Sequence, residues 1–332
     1  MAFTQTRTDG SGFPEMNWFD LPLVATGLGI GVLVGLTGMG GGALMTPILV
    51  FVFGVNAATA ISSDLVVSLF MKPFGGAVHL VRRTTDLRLV GLLCLGSVPF
   101  AFLGALTTGL IPVGVVEPTL LVLVGCALLL AASGLIARAF LQMIRHRTPL
   151  GEGPSPLTRP SQRFAPAATI ALGAVAGFIV GLTSVGAGSI VIVVLLLLYP
   201  KLRASQLVGT DLVQAVPLVA SAALGHALLG TVSLGIAGSV LVGAIPGVLL
   251  GSWLAAWAPG GIIRRILAIV LVASGLKLVG VATEWVLIVA LVALVGGNLA
   301  WAGVKSRFSA RRRKALDPAE TPPTTDPAHQ HG

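Results

Sequence analysis

The sequence predicts an all-α polytopic membrane protein: two inverted repeats of about five segments each, interrupted by glycine-rich helix breaks, plus a final C-terminal span. Three observations predict it. Of 332 residues, 55% are hydrophobic and 10% are charged, where a soluble domain carries about 25% charge. The mean hydropathy is +0.96, the opposite of the low hydrophobicity and high charge that keep a chain disordered. The apolar runs suffice for roughly ten crossings at ~20 residues each, and both halves of the chain repeat one pattern of Gly, Asp, His and Pro.

Taken in order, residues 1–20 hold Arg7, Asp9, Glu15 and Asp20 without an apolar core. They read as an extramembrane leader and not as a cleavable signal peptide. The first transmembrane repeat, 21–140, contains apolar runs at 21–38, 42–55, 57–81, 88–109 and 114–140. Residues 141–163 carry Arg145, Arg147, Arg159 and Arg163, with five Pro or Gly between Pro149 and Pro156. That composition predicts a hydrophilic linker that cannot form one continuous helix. The second repeat with the last helix, 164–303, has runs at 165–184, 187–200, 204–229, 232–257, 264–282 and 284–303. The tail, 304–332, opens with Lys305, Arg307 and Arg311 to Lys314, then turns polar and Pro-rich.

The duplication is legible in residues that chance would not repeat. Gly31, Gly35, Leu36, Thr37, Gly40 and Gly42 match Gly177, Gly181, Leu182, Thr183, Gly186 and Gly188. One inserted residue later, Asp64, His79, Gly91, Gly96, Pro99 and Gly104 match Asp211, His226, Gly238, Gly243, Pro246 and Gly251. A fixed offset of this kind marks an internal repeat. The net charge of +9 arises from 21 Lys and Arg against 12 acidic residues, with the cations mostly between apolar runs or in the tail. It therefore reads as loop charge obeying the positive-inside rule and not as a nucleic-acid surface. That rule puts the linker, Arg82, Arg83, Arg88, Lys201, Arg203, Arg264, Arg265 and the C-terminus in the cytoplasm, with the N-terminus outside. The assignment holds if the short runs 42–55 and 187–200 cross the bilayer. With an odd number of segments per repeat, the halves are then inverted, a common plan of secondary transporters.

Candidate functional residues fall in the breaks and in the charged positions at membrane depth. The break Thr37, Gly38, Gly40, Gly41 and Gly42 and its counterpart Thr183, Ser184, Gly186 and Gly188 interrupt runs too short for two full spans. A helix that restarts after such a break points free N–H groups and the positive end of its dipole at whatever lies there. Paired breaks in two halves are the best sequence pointer to a transporter's binding site. Close helix packing explains glycines four apart equally well, and Gly31 and Gly35 fit that reading. Ser63 with Asp64, and Thr210 with Asp211, place a carboxylate within lipid depth, which costs ~2.5–3.5 kcal/mol on insertion scales and marks either a site or a helix-start cap.

His79 and His226 lie fifteen residues after their aspartates, ~22 Å along one helix. Inversion would bring Asp64 to the depth of His226, and Asp211 to that of His79, as crossed pairs able to couple protons. Hydrogen bonding to backbone or headgroups is the plainer role for these histidines. Lys72 is the one cation deep in a span and has Val219 as its counterpart. It could meet a substrate anion or pair with an acid, whereas Lys277, near a helix end, can snorkel. Cys94 and Cys126 have no Cys or His partner nearby, so neither a metal site nor a disulfide framework is indicated. No nucleophile–base or HExxH arrangement occurs either, and no cofactor or enzymatic activity is expected.

The segment Gly-Leu-Thr-Gly-Met-Gly-Gly-Gly-Ala-Leu-Met-Thr-Pro (35–47), followed by Ala-Ile-Ser-Ser-Asp (60–64), resembles the TauE/SafE family of sulfite exporters, and the resemblance extends over nearly all of 21–303. It implies a bacterial inner-membrane carrier that exports sulfite, a sulfonate or a related anion, driven by ion or proton gradients without a nucleotide-binding domain. The second copy departs from the pattern: Ser184, Ala187 and Val193 stand where the first has Gly38, Gly41 and Pro47. The expected partners are thus a small anionic substrate, the lipid bilayer and protons. An anion channel, or a cation or metal permease using Asp64 and Asp211, are the other readings.

Overall fold

The computed structural model describes residues 20–37, 41–81, 85–145, 165–186, 188–199, 202, 204–229, 231–254, 257 and 260–293. The expected leader before Asp20, the linker beyond Arg145, positions 294–303 of the last span and the tail lie outside the described residues, as do Gly38 and Gly40.

Among the described residues the chain is helical and without strands. The first half forms α1 (Leu21–Thr37), α2 (Gly42–Phe53), α3 (Ala57–Val81), α4 (Leu87–Thr108) and α5 (Val113–Arg145). The second forms α6 (Pro166–Thr183), α7 (Gly188–Leu198), α8 (Ala204–Leu228), α9 (Leu234–Leu254) and α10 (Gly260–Leu278). A shorter apolar helix, α11 (Thr283–Ala293), follows. Helices α3, α4, α5, α6, α8 and α9 are long and apolar enough to cross a membrane. Their outward positions are apolar as well: Phe100, Leu103, Leu249 and Leu250 are all exposed. The chain is a multi-pass helical membrane protein.

Boundaries follow local chemistry. Asp86 caps α4, its carboxylate accepting from the N–H groups of Arg88 and Leu89. Asn56 does the same for Thr59 of α3, and Glu117 reaches over from α5 to accept twice from Ala57 N–H, at 2.8 and 3.0 Å. These side chains satisfy N–H groups that have no partner within their own helix. Gly54, with φ 65°, ends α2 in the left-handed conformation that costs glycine nothing. Helix α10 starts at Gly260, ahead of the apolar run expected from 264. It ends at Leu278, before the turn at Gly280, φ 97°.

Glycines decide the packing. A Cβ at Gly27, Gly31 or Gly35 of α1 would run into the carbonyls of Val240, Ala244 or Val248 on α9. One at Gly243, Gly247 or Gly251 would meet Val24, Leu28 or Val32 in return. The crossing of α4 and α6 repeats the arrangement, with Gly173, Gly177 and Gly181 against Leu93, Ser97 and Ala101. Without a hydrophobic drive between helices in lipid, such backbone-to-backbone contact is what holds them. The matched glycines 31/177, 35/181, 96/243 and 104/251 all sit in these two crossings.

Both crossings run in step, residue numbers rising together along α1 and α9 and along α4 and α6. In contrast, α3 and α8 oppose each other. Ser62, near the start of α3, donates to the Thr231 carbonyl beyond the end of α8. Gly76, near the end of α3, faces Leu212 and Val213, early in α8.

Candidate functional site

The candidate site lies along one face of α3. Asp64, Ser68 and Lys72 are spaced four apart, one helical turn each, and are 0%, 3% and 9% exposed. The Asp64 carboxylate is held by hydroxyls from three places. Ser184 Oγ, in the α6–α7 break, donates to Oδ2 at 2.6 Å. Thr46 Oγ1, on α2, donates to Oδ2 at 3.1 Å, and Ser68 Oγ donates to Oδ1 at 3.3 Å. The Thr46 and Ser184 hydroxyls lie 2.9 Å apart.

Two features of the backbone bring these groups together. Helix α2 restarts at Gly42, where a Cβ would sit 3.1 Å from Asp64 Oδ2 and would collide with the Ser184 carbonyl. A side chain there would push the break of the second half away from the first. The carboxylate therefore lies beside the positive end of α2, where a negative charge is favoured. Ser184 itself has φ 56°, and is the one positive-φ residue other than glycine among the described residues. Its N–H still closes the last turn of α6 on the Val180 carbonyl, and its side chain is turned to Asp64.

Asp211 on α8 repeats the backbone half of this arrangement. Gly188, the first residue of α7, abuts Asp211 Oδ2. The hydroxyls are not repeated: Ile192, Ala215 and Gly38 stand at the positions equivalent to Thr46, Ser68 and Ser184. Lys72 lies within electrostatic reach of both carboxylates, and Arg138 of α5 within reach of Asp211. The first turn of α7 rests on α5, with Ser189 Oγ donating to the Ala131 carbonyl at 2.9 Å and packing on Gly134, one turn before Arg138.

The other sequence candidates go elsewhere. Thr37 and Thr183 donate into their own helices, to Leu33 and Ile179 at 2.7 Å each. Ser63 reaches the Ser233 carbonyl, and Thr210 accepts from Asp86 N–H. These hydroxyls tie α3 and α8 to turns of the opposite half. Gly41 is buried, and Gly186 faces open space.

The crossed pairing of His226 with Asp64 does not form. His226 is fully buried and donates from Nε2 to the Gly181 carbonyl at 2.9 Å, while Asp64 takes its bonds from hydroxyls. His79 is half-buried in the last turn of α3. Lys277 donates to Thr283 Oγ1 at 2.6 Å on the exterior. Sequence reading missed Thr46, Ser68 and Arg138 as candidates. Ser68 was detectable as the turn between Asp64 and Lys72, and Arg138 as a charge within an apolar run, but nothing local marks Thr46.

Among the described residues no group of three His, Cys, Asp or Glu side chains could hold a metal. The arrangement sets hydroxyl donors, two helix N-termini and a buried ammonium against two carboxylates.

Comparison with known proteins agrees with the architecture. Residues 23–278 match the family described as "Sulfite exporter TauE/SafE". The chain is 39% identical over 259 residues to "Probable membrane transporter protein YjnA" of Bacillus subtilis (strain 168), an alignment covering 77% of this chain and 98% of that protein. No solved structure matches.

Proposed function

This chain belongs to the sulfite exporter TauE/SafE family, and from that premise we propose that it is a secondary carrier exporting a small anion: sulfite, a sulfonate, or another organosulfur or carboxylate anion. Membrane transport is the function common to the family and to the relative's printed name. The observation that carries the choice of an anion is the convergence, at one buried place, of the N-termini of α2 and α7 with the Lys72 ammonium. Each of the three is a positive group an anion can use, and they offset the two carboxylates beside them.

In this reading the two halves are inverted repeats, a relation supported by the opposed sense of their equivalent helices α3 and α8. They rock against each other to expose the site alternately. The linker and C-terminus are cytoplasmic and the N-terminus external. An inside-negative potential drives an anion outward with ~2.3 kcal/mol per charge per 100 mV, so export needs no nucleotide. A proton on Asp64 or Asp211 adds a second means of coupling. The protein is a transporter and not an enzyme.

The test is flux in proteoliposomes. Purified protein should move labelled sulfite saturably, accelerate on addition of unlabelled anion to the far side, and exceed protein-free vesicles. Lys72→Met should weaken apparent affinity ~10–100-fold, the scale of one charge-assisted contact of ~1.5–3 kcal/mol, while the peripheral Lys277→Met leaves it unchanged. Flux without saturation or exchange would make the protein a channel. Flux equal to that of empty vesicles would end the proposal.

A further inference from the structure

The donors that surround Asp64 are those an oxyanion would require. Two hydroxyls, from Thr46 and Ser184, converge on a single carboxylate oxygen. The start of α2 lies against the same oxygen, and Gly42 leaves room for the approach. Lys72, 9% exposed, adds a full positive charge within reach, and no hydrogen bond to its ammonium is found among the described residues. A carboxylate and a sulfite or sulfonate head share a geometry: oxygens of partial negative charge on one small centre, each accepting from O–H or N–H.

We propose that the Asp64 side chain is a tethered competitor for the substrate, its carboxylate and the transported oxyanion taking turns on one donor set made by Thr46, Ser184, the start of α2 and Lys72. The idea rests on the anion-carrier reading and adds to it the order of events. The anion binds when Asp64 gives up the hydroxyls, either by taking a proton or by turning away along α3. The second half lacks the donors, with Ile192, Ala215 and Gly38 in their place, so Asp211 serves as a standing counter-ion to Lys72 and Arg138. The two halves, alike in backbone, then have different tasks: one holds the exchangeable anion, the other balances charge.

Competition sets the sign of the pH response. Protonating Asp64 removes the competitor and leaves Lys72 with Asp211 alone to balance it, so anion affinity rises as pH falls, and by linkage bound anion favours the protonated carboxyl. The charged groups facing Asp64 are few. Lys72 lies on its own helix, Asp211 on α8, with Arg138 beyond it on α5, while α2, α6 and α7 contribute no titratable side chain.

The experiment measures binding of methanesulfonate, whose charge is constant over the range, to detergent-purified full-length protein between about pH 8 and pH 5.5. The wild type should bind roughly tenfold tighter at the acid end. Asp64→Asn should bind tighter than wild type at the alkaline end and lose the pH dependence, whereas Asp211→Asn should not bind more tightly at any pH. Thr46→Val should weaken binding at the acid end, where the anion uses that hydroxyl without competition from Asp64. An Asp64→Asn protein that folds but binds no better than wild type overturns the proposal, as does wild-type affinity that is flat with pH. If Asp64→Asn fails to fold, the wild-type series and Thr46→Val decide alone: rising affinity with a weakened Thr46→Val supports, and any other result overturns. Failure of the wild type to bind methanesulfonate, sulfite or a carboxylate at any pH would instead refute the anion-carrier reading beneath it.

Discussion

Ser184 allows a worked separation of hydrogen bonding from backbone strain. Its hydroxyl donates to the buried Asp64 carboxylate at 2.6 Å, a bond to a charged group whose loss costs about 1.5–3 kcal/mol. Its φ of 56° charges any residue with a Cβ about 1–2 kcal/mol relative to glycine. Ser184→Ala forfeits the bond and keeps the strain, so it should destabilise by about 1.5–3 kcal/mol. Ser184→Gly forfeits the same bond but releases the strain, less the roughly 0.5–1 kcal/mol that glycine's freer unfolded chain takes back. Glycine should therefore be more stable than alanine by about 0–1.5 kcal/mol, although it is the smaller side chain. The assay is reversible denaturation of both variants and wild type in mixed micelles. An alanine variant more stable than the glycine variant would refute the strain argument. Wild-type stability in both would show that the Asp64 bond contributes nothing.

Four further outcomes test the fold and its orientation. Gly177→Leu should prevent isolation of folded protein, since even a Cβ would meet the Ser97 backbone. Gly91→Ala and Gly238→Ala face open space within helices and should stabilise by ~0.5–1 kcal/mol in the same denaturation series. Glu117→Ala removes both bonds to Ala57 N–H and should cost about 1–2 kcal/mol, read as a lower unfolding midpoint. In a background lacking Cys94 and Cys126, a cysteine at Arg147 should react with an impermeant maleimide only after the cytoplasmic face is opened, and one at Arg7 should react in intact cells. The converse pattern would reverse the orientation.

Much of the architecture was legible because the bilayer imposes it locally. Hydrocarbon demands ~20 apolar residues per crossing and a backbone hydrogen-bonded within its own segment, so hydropathy alone located α1 to α10 to within a few residues. Glycine clusters located the breaks, and a shared register of Gly, Asp, His and Pro disclosed the duplication. Asp64 and Lys72 stood out because charge is costly at membrane depth.

What glycine and serine do there was another matter. Gly35 and Gly42 occur in one motif, yet Gly35 packs α1 on α9 while Gly42 makes room for Asp64 and Ser184. Thr37 and Thr46 look alike in sequence, yet the first bonds its own helix and the second the carboxylate. Such differences depend on which helices meet and at what register. Ser184 reaches Asp64 from 120 residues away, and His226 finds the Gly181 carbonyl and not an aspartate. Apolarity and backbone freedom belong to a residue and its near neighbours, so the chain alone determined the spans, the breaks and the buried charges. A hydrogen-bond partner belongs to the packing of distant helices, so only the tertiary structure decided that the acid of one half is held by the serine of the other.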